Sequence, residues 1–210
     1  MAFEIVNNYV NSPNSIYFIG EIGINHNGDI NLAKKIMKEA KSAGFSAVKF
    51  QKRNPEITTP LEVRNNNRET PWGEMTYIDY KFKIELQKQE YDEINKYAKE
   101  LGIDWFASCW DESSVDFMEE LDIPCYKIAS ASVTNLDLLK KISKTKRPVM
   151  MSTGMSTMKE IQSSEKFSAL HSRVLVHLET PEANTPHKQK HNRYMTIKTA
   201  NDYVPQQTGP

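Results

Sequence analysis

Cysteine is nearly missing: Cys109 and Cys125 are the two in 210 residues, too few for a disulfide framework. An excess of either charge is missing too. The 27 Lys+Arg balance 27 Asp+Glu, so no long-range field gathers nucleic acid or an anionic membrane surface. No apolar run approaches the roughly 18 residues of a membrane span. Met1 to Ser12 lacks a basic segment followed by an apolar core, so neither a span nor a signal peptide is expected. Glycine is scarce at eight residues, with no Gly-x-Gly-x-x-Gly and no Walker loop, which leaves nucleotide cofactors without support. Metal spacing is poor as well, with no Cys-x-x-Cys and no His-x-x-x-His on a helical pattern; His177, His187 and His191 fall in an irregular tail. What remains is 39% apolar and 26% charged, enough to bury a core. The expectation is a cytoplasmic globular protein with no nucleic-acid or membrane partner.

Short apolar runs alternate with helical stretches. Strands are predicted over Ile16–Ile22, Ala47–Gln51, Asp104–Ser108, Pro124–Ala129 and Pro148–Ser152, with Val174–His177 as a sixth. Helices are predicted from an Asn31 N-cap to Gly44, over Ile84–Leu101, Ser114–Leu121 and Asn135–Ser143, and from about Thr157. This alternation implies βαβ units and a parallel sheet covered on both faces. The spacing of 23 residues from Tyr126 to Val149 is typical of one such unit. Two regions break the rhythm. Arg53–Lys83, with Pro55, Pro60, Pro71 and the run Asn65-Asn66-Asn67, reads as a long loop after the second strand. From about Gln162 the pattern fades, Pro181–Lys190 is polar, and Gln206–Pro210 reads as a frayed end.

Polar residues terminate the strands: Glu21 and Asn25-His26-Asn27-Gly28, then Lys49 and Gln51, Ser108 and Asp111, Lys127 and Ser130, and Ser152-Thr153-Gly154. In a parallel barrel these carboxyl ends converge on the face that carries the active site. Two lysines with several hydroxyls suit an anionic ligand such as a phosphate or carboxylate, and Glu21 adds an acid/base group. A lysine in a strand run is most often a surface residue, but Lys49 and Lys127 recur at equivalent positions of two strands. His26 reads more simply as a satisfied loop histidine than as a ligand, Cys109 and Cys125 as small core hydrophobes. Ser152-Thr153-Gly154 reads equally as a turn with an N-cap or as a phosphate contact.

Gly20-Glu21-Ile22-Gly23-Ile24-Asn25-His26-Asn27-Gly28-Asp29 and Val48-Lys49-Phe50-Gln51-Lys52-Arg53 resemble the sialic acid synthase (N-acetylneuraminate synthase) family. Thr70-Pro71-Trp72-Gly73-Glu74-Met75-Thr76-Tyr77, Ser108-Cys109-Trp110-Asp111, Tyr126-Lys127-Ile128-Ala129-Ser130 and Ser152-Thr153-Gly154-Met155 continue the resemblance in order, over about residues 15–161. Asn192-Arg193-Tyr194-Met195 looks like the family's helix after strand six. The resemblance implies an α/β fold of the (β/α)8 TIM-barrel type. It implies condensation of phosphoenolpyruvate with N-acetylmannosamine or a related N-acyl sugar, releasing phosphate, with Mn or Mg as Lewis acid. It implies Glu21 as the catalytic residue and Lys49, Lys127, Ser130, Ser152 and Ser108 as phosphoenolpyruvate contacts. Asn25, Gln51 and one of Asn65, Asn66 and Asn67, with Asn66 taken to stand for the three, are the implied sugar contacts. The family is homodimeric.

The departures matter equally. The family's strand-six block is replaced by His177-Leu178-Glu179-Thr180-Pro181, and the segments carrying its metal-binding histidines have no counterpart up to Pro210. No metal ligand is therefore assigned. The expected organisation is a lead-in over 1–14 and a partial barrel over 15–210, divergent over 162–210, with the family's C-terminal antifreeze-like domain absent. Five to six β/α units fit in this length, against the ~250 residues of a complete barrel. An incomplete barrel with exposed edges would self-associate. Two other readings stand beside synthase activity: a truncated, catalytically inactive remnant of the family, and a Schiff-base aldolase using Lys49 or Lys127.

Overall fold

Three parallel strands, β3 (Ile19–Gly23), β4 (Ala47–Lys52) and β7 (Asp104–Cys109), lie side by side, with Glu21 opposite Lys49 and Gln51 opposite Ser108. They belong to the first of two compact units, Met1–Pro124; the second is Cys125–Pro210. The computed structural model describes residues 17–121 and 123–165, together with the backbone of four short strands, Phe3–Ile5, Asn8–Val10, Val174–His177 and Lys198–Thr199. The lead-in is not wholly irregular, because β1 (Phe3–Ile5) pairs antiparallel with β2 (Asn8–Val10). The expectations for Asn192–Met195, for His187 and His191 and for the Gln206–Pro210 end lie outside the described residues.

In the first unit each strand feeds a helix. α1 (Ile30–Ser42) follows β3, and its N-cap is Asp29 rather than the expected Asn31: the Asp29 carboxylate accepts from the N–H groups of Asn31 (2.7 Å) and Leu32 (3.3 Å). α5 (Lys88–Leu101) ends on Gly102 in the left-handed region, φ +62°, where a side chain would be strained. α6 (Glu112–Glu119) follows β7. The Phe50, Tyr91 and Trp105 rings pack 5.8–6.3 Å apart between β4, α5 and β7. Each of these side chains contributes about 2–3 kcal/mol by leaving water. Because successive strand residues face opposite ways, Phe50 toward the helices puts Lys49 and Gln51 on the other face.

The region 53–83 is built, not a loop. It holds two one-turn helices, α2 (Pro55–Thr58) and α3 (Leu61–Arg64), an antiparallel hairpin of β5 (Asn67–Thr70) and β6 (Gly73–Thr76), and α4 (Tyr77–Ile84). Arg64 ties the two short helices together through the Glu56 carboxylate (2.9 Å) and carbonyl (2.6 Å). The single helix expected over Ile84–Leu101 is broken at Glu85-Leu86-Gln87. There the Glu85 carboxylate turns inward to meet the Lys52 ammonium at 2.9 Å.

The second unit repeats the pattern. β8 (Tyr126–Ile128) leads through a single turn, Ser130–Ser132, to α7 (Leu136–Lys144), and β9 (Val149–Ser152) leads to α8 (Met158–Glu165). β8 and β9 are parallel, as are β9 and β10 (Val174–His177); β11 (Lys198–Thr199) pairs antiparallel with β10. Ser152 ends β9 and the turn that follows runs from Thr153 to Ser156, whose N–H donates to the Thr153 carbonyl at 3.2 Å; the start of α8 is held by Thr157 and Glu160, which exchange hydrogen bonds of 2.7 and 3.3 Å. No helix among the described residues is long and apolar enough to cross a membrane.

Candidate active site

Lys49 is the centre of the polar face in the first unit. Its ammonium donates to the Glu21 carboxylate at 2.6 Å and to the Ser108 hydroxyl at 3.0 Å, joining the carboxyl ends of three adjacent strands. The Lys49 side chain is 8% exposed and that of Glu21 57%, so the carboxylate faces outward over a sunken cation. The strand pairing builds this directly, since Glu21 and Lys49 are ladder partners and Ser108 lies opposite Gln51, one step further along. An ammonium between a carboxylate and a hydroxyl, below an open face, is arranged to receive an anion.

Gln51 is half-buried on the same face, and its side-chain oxygen accepts from the Arg53 guanidinium. Asn25 is exposed in the turn after β3. Asn66 and Asn67 line a cleft of about 460 Å³ with Pro60 and Tyr77, whereas Asn65 is not among its lining residues. In the second unit Lys127, Ser130 and Ser152 are half-buried at the ends of β8 and β9.

Asp111 is committed elsewhere. One carboxylate oxygen accepts from Ser114 N–H (2.8 Å) and Ser113 Oγ (2.6 Å), the other from Asn54 N–H and Ser114 Oγ (both 2.7 Å). It caps α6 and fixes the chain after β4, so its place at a strand end is structural. Cys109 and Cys125 are fully buried thiols, and burial pushes the Cys109 thiol up.

His26 is buried as well. Its Nδ1 accepts from Gly28 N–H at 3.0 Å, its ring packs 5.9 Å from Phe50, and a backbone hydrogen bond with Gly23 holds it further. Burial depresses its pKa to about 4, against the opposing effects of Gly23 and Asp29. A depressed folded-state pKa means that protonation favours the unfolded chain: stability is full above pH 6.5 and falls as the pH drops toward 4, by about 3 kcal/mol in all. Urea titrations from pH 7 to 4 should show that component in the wild type and lack it in His26→Gln.

The donor set was tested against a divalent cation. Among the described residues no three His, Cys, Asp or Glu side chains converge. Glu21 is paired with Lys49, Glu85 with Lys52, and Asp111 with its cap donors. These residues do not form a metal site.

Four residues of the site's surroundings were not singled out from the sequence: Arg53, Lys52, Glu85 and Trp110. Lys52 lies 4.6 Å from the Phe117 ring centroid and donates to Glu85 and to the Leu86 carbonyl (3.1 Å). Burial pushes the Glu85 carboxyl up, and the nearby Lys52 and Arg53 charges pull it back. The Arg53 guanidinium stacks 4.9 Å from the Trp110 ring. The signal for the ion pair was a lysine and an arginine directly after a strand with a lone glutamate at a helix break, which does not by itself select a partner.

The model of the NeuB family matches residues 36–207. N-acetylneuraminate-9-phosphate synthase of Drosophila melanogaster is 39% identical over 150 residues, covering 70% of this chain and 40% of that protein. N,N'-diacetyllegionaminic acid synthase of Campylobacter jejuni is 36% identical over 146 residues, covering 69% of this chain and 44% of that protein. The chain thus spans under half the length of these curated relatives. Among solved structures, the N-acetylneuraminic acid (sialic acid) synthetase of Leptospira borgpetersenii, in complex with citrate, superposes with a TM-score of 0.72 at 23% identity, covering 88% of this chain and 63% of that one. That likeness gives the fold: α/β, of the TIM-barrel type.

Proposed function

The chain belongs to the NeuB family, and on that premise we propose that it serves a sugar-acid synthase reaction: condensation of phosphoenolpyruvate with an N-acyl amino sugar such as N-acetylmannosamine. The observation that carries the reading is the Lys49 ammonium set between Glu21 (2.6 Å) and Ser108 (3.0 Å) at three strand ends. Such a cation, sunk and pre-oriented, holds a dianionic substrate by charge-assisted hydrogen bonds. Lys127, Ser130 and Ser152 of the second unit carry the same chemistry, a lysine with hydroxyls, and are proposed as phosphoenolpyruvate contacts too. Asn25, Gln51 and Asn66 are proposed to face the sugar.

In the proposed reaction C3 of phosphoenolpyruvate bonds to the aldehyde carbon of the open-chain sugar, and the aldehyde oxygen takes a proton. Water adds at the resulting cationic C2 and gives up a proton, for which Glu21 is the acid/base group beside Lys49. The C2–O bond to phosphate then breaks as the C2 hydroxyl passes its proton to the departing phosphate, leaving a 2-keto acid and inorganic phosphate. The homodimer of the family and a cytoplasmic setting are part of the same proposal.

The test supplies the full chain with phosphoenolpyruvate, N-acetylmannosamine and Mn, and follows phosphate by phosphorus NMR. Phosphate appearing with both substrates, in step with a nine-carbon keto acid, is the expected result. Absence of phosphate, or a borohydride-reducible pyruvate adduct on Lys49, would overturn the reading.

A further inference from the structure

We propose that Arg53 is a positioning residue that sets the direction of the Gln51 side-chain amide, so that Gln51 turns its N–H donors toward an oxygen of the sugar acceptor; this rests on the condensation reading above. Gln51 lies two residues beyond Lys49 on the same face of β4 and opposite Ser108 in the ladder. Its oxygen is taken up by Arg53, which leaves the amide nitrogen as the group it can present. That nitrogen is directed to Gly23. A Cβ added at the buried Gly23 would sit 3.5 Å from Gln51 Nε2 and 3.1 Å from Glu21 Oε1, so the amide nitrogen and the carboxylate both lie against this glycine. The Gln51 donors and the Glu21 acceptor thus stand near one another beside β3.

Arg53 is held for the task. It is 8% exposed, its guanidinium lies 4.9 Å from the Trp110 ring, and its backbone N–H donates to Glu85 at 3.1 Å. Charge balance does not explain it, because Lys52 already neutralises Glu85 at 2.9 Å while Arg53 Nε stands 3.9 Å from that carboxylate. The buried Nε makes no hydrogen bond at all. An orphaned buried donor is costly, and among the described residues the guanidinium's hydrogen bond goes to Gln51. Lysine would keep the charge and lose the planar fork.

The experiment titrates N-acetylmannosamine, in the presence of phosphoenolpyruvate, into the full chain carrying Arg53→Lys, Gln51→Leu, both, or Gln51→Glu. Arg53→Lys is expected to weaken sugar binding about tenfold and leave phosphoenolpyruvate affinity within about twofold. In the Gln51→Leu background it should add nothing, although both substitutions shift the melting temperature. Gln51→Glu keeps an acceptor for Arg53 and removes the donors, so it should weaken sugar binding at least tenfold with no loss of melting temperature. A further tenfold loss from Arg53→Lys in the Gln51→Leu background, or wild-type sugar affinity in Gln51→Glu, would overturn the positioning role. A wild-type chain that binds neither substrate would overturn the condensation reading itself, and this role with it.

Discussion

Lys49→Met is expected to weaken phosphoenolpyruvate binding by about a hundredfold, measured by calorimetric titration of the full chain. The reasoning is one of magnitude. A hydrogen bond between charged groups contributes ~1.5–3 kcal/mol, and each 1.4 kcal/mol is a factor of ten. Methionine fills the same volume, so little packing is lost. The Glu21 side chain is 57% exposed and takes up water in place of its partner, while the buried Ser108 hydroxyl loses one charge-assisted hydrogen bond from the ammonium, a loss of ~1.5–3 kcal/mol. Unchanged phosphoenolpyruvate affinity would remove Lys49 from the substrate site.

Gly28→Ala is expected to cost more than about 4 kcal/mol, a large share of the stability of a domain of this size. Gly28 sits at φ +76°, and a Cβ there would run into the backbone carbonyl of Lys83, at the end of α4. The turn has no slack to absorb the shift. Asn25 N–H bonds Ile22 O (2.9 Å), Asn27 N–H bonds Ile24 O (3.0 Å), Asp29 N–H bonds His26 O (2.8 Å), and Gly28 N–H itself bonds the His26 ring. Neither the backbone nor α4 can give way without breaking this set. Chemical denaturation of the variant checks the figure; a loss within 1 kcal/mol would mean that the Gly28 turn is not tightly packed on α4.

The strand ends were legible in the sequence because one rule governs them. Parallel strands covered on both faces read as apolar runs, and a polar residue at the carboxyl end stands out, as Glu21, Lys49 and Ser108 do. Their mutual contacts then follow from strand order. Asp111 stood out for the same reason and proved to be a helix cap, since an aspartate after a strand suits a ligand and an N-cap equally well. Arg53 and Glu85 were not legible as a unit: 32 residues separate them, and only the break between α4 and α5 brings Glu85 inward. The region 53–83 reads as a loop because four-residue helices are too short to show a period and its prolines look like loop punctuation. The shift of the α1 cap from Asn31 to Asp29 reflects two good capping residues within one turn.

Lys49, between Glu21 and Ser108, is the proposed anchor of phosphoenolpyruvate. A crystal structure of the full chain soaked with phosphoenolpyruvate tests it most directly. The expected result is a phosphate or carboxylate oxygen within hydrogen-bonding distance of Lys49 Nζ, with Ser108 Oγ as neighbour. Phosphoenolpyruvate bound elsewhere, with the Lys49–Glu21–Ser108 contacts unaltered and no ligand oxygen beside them, would contradict it.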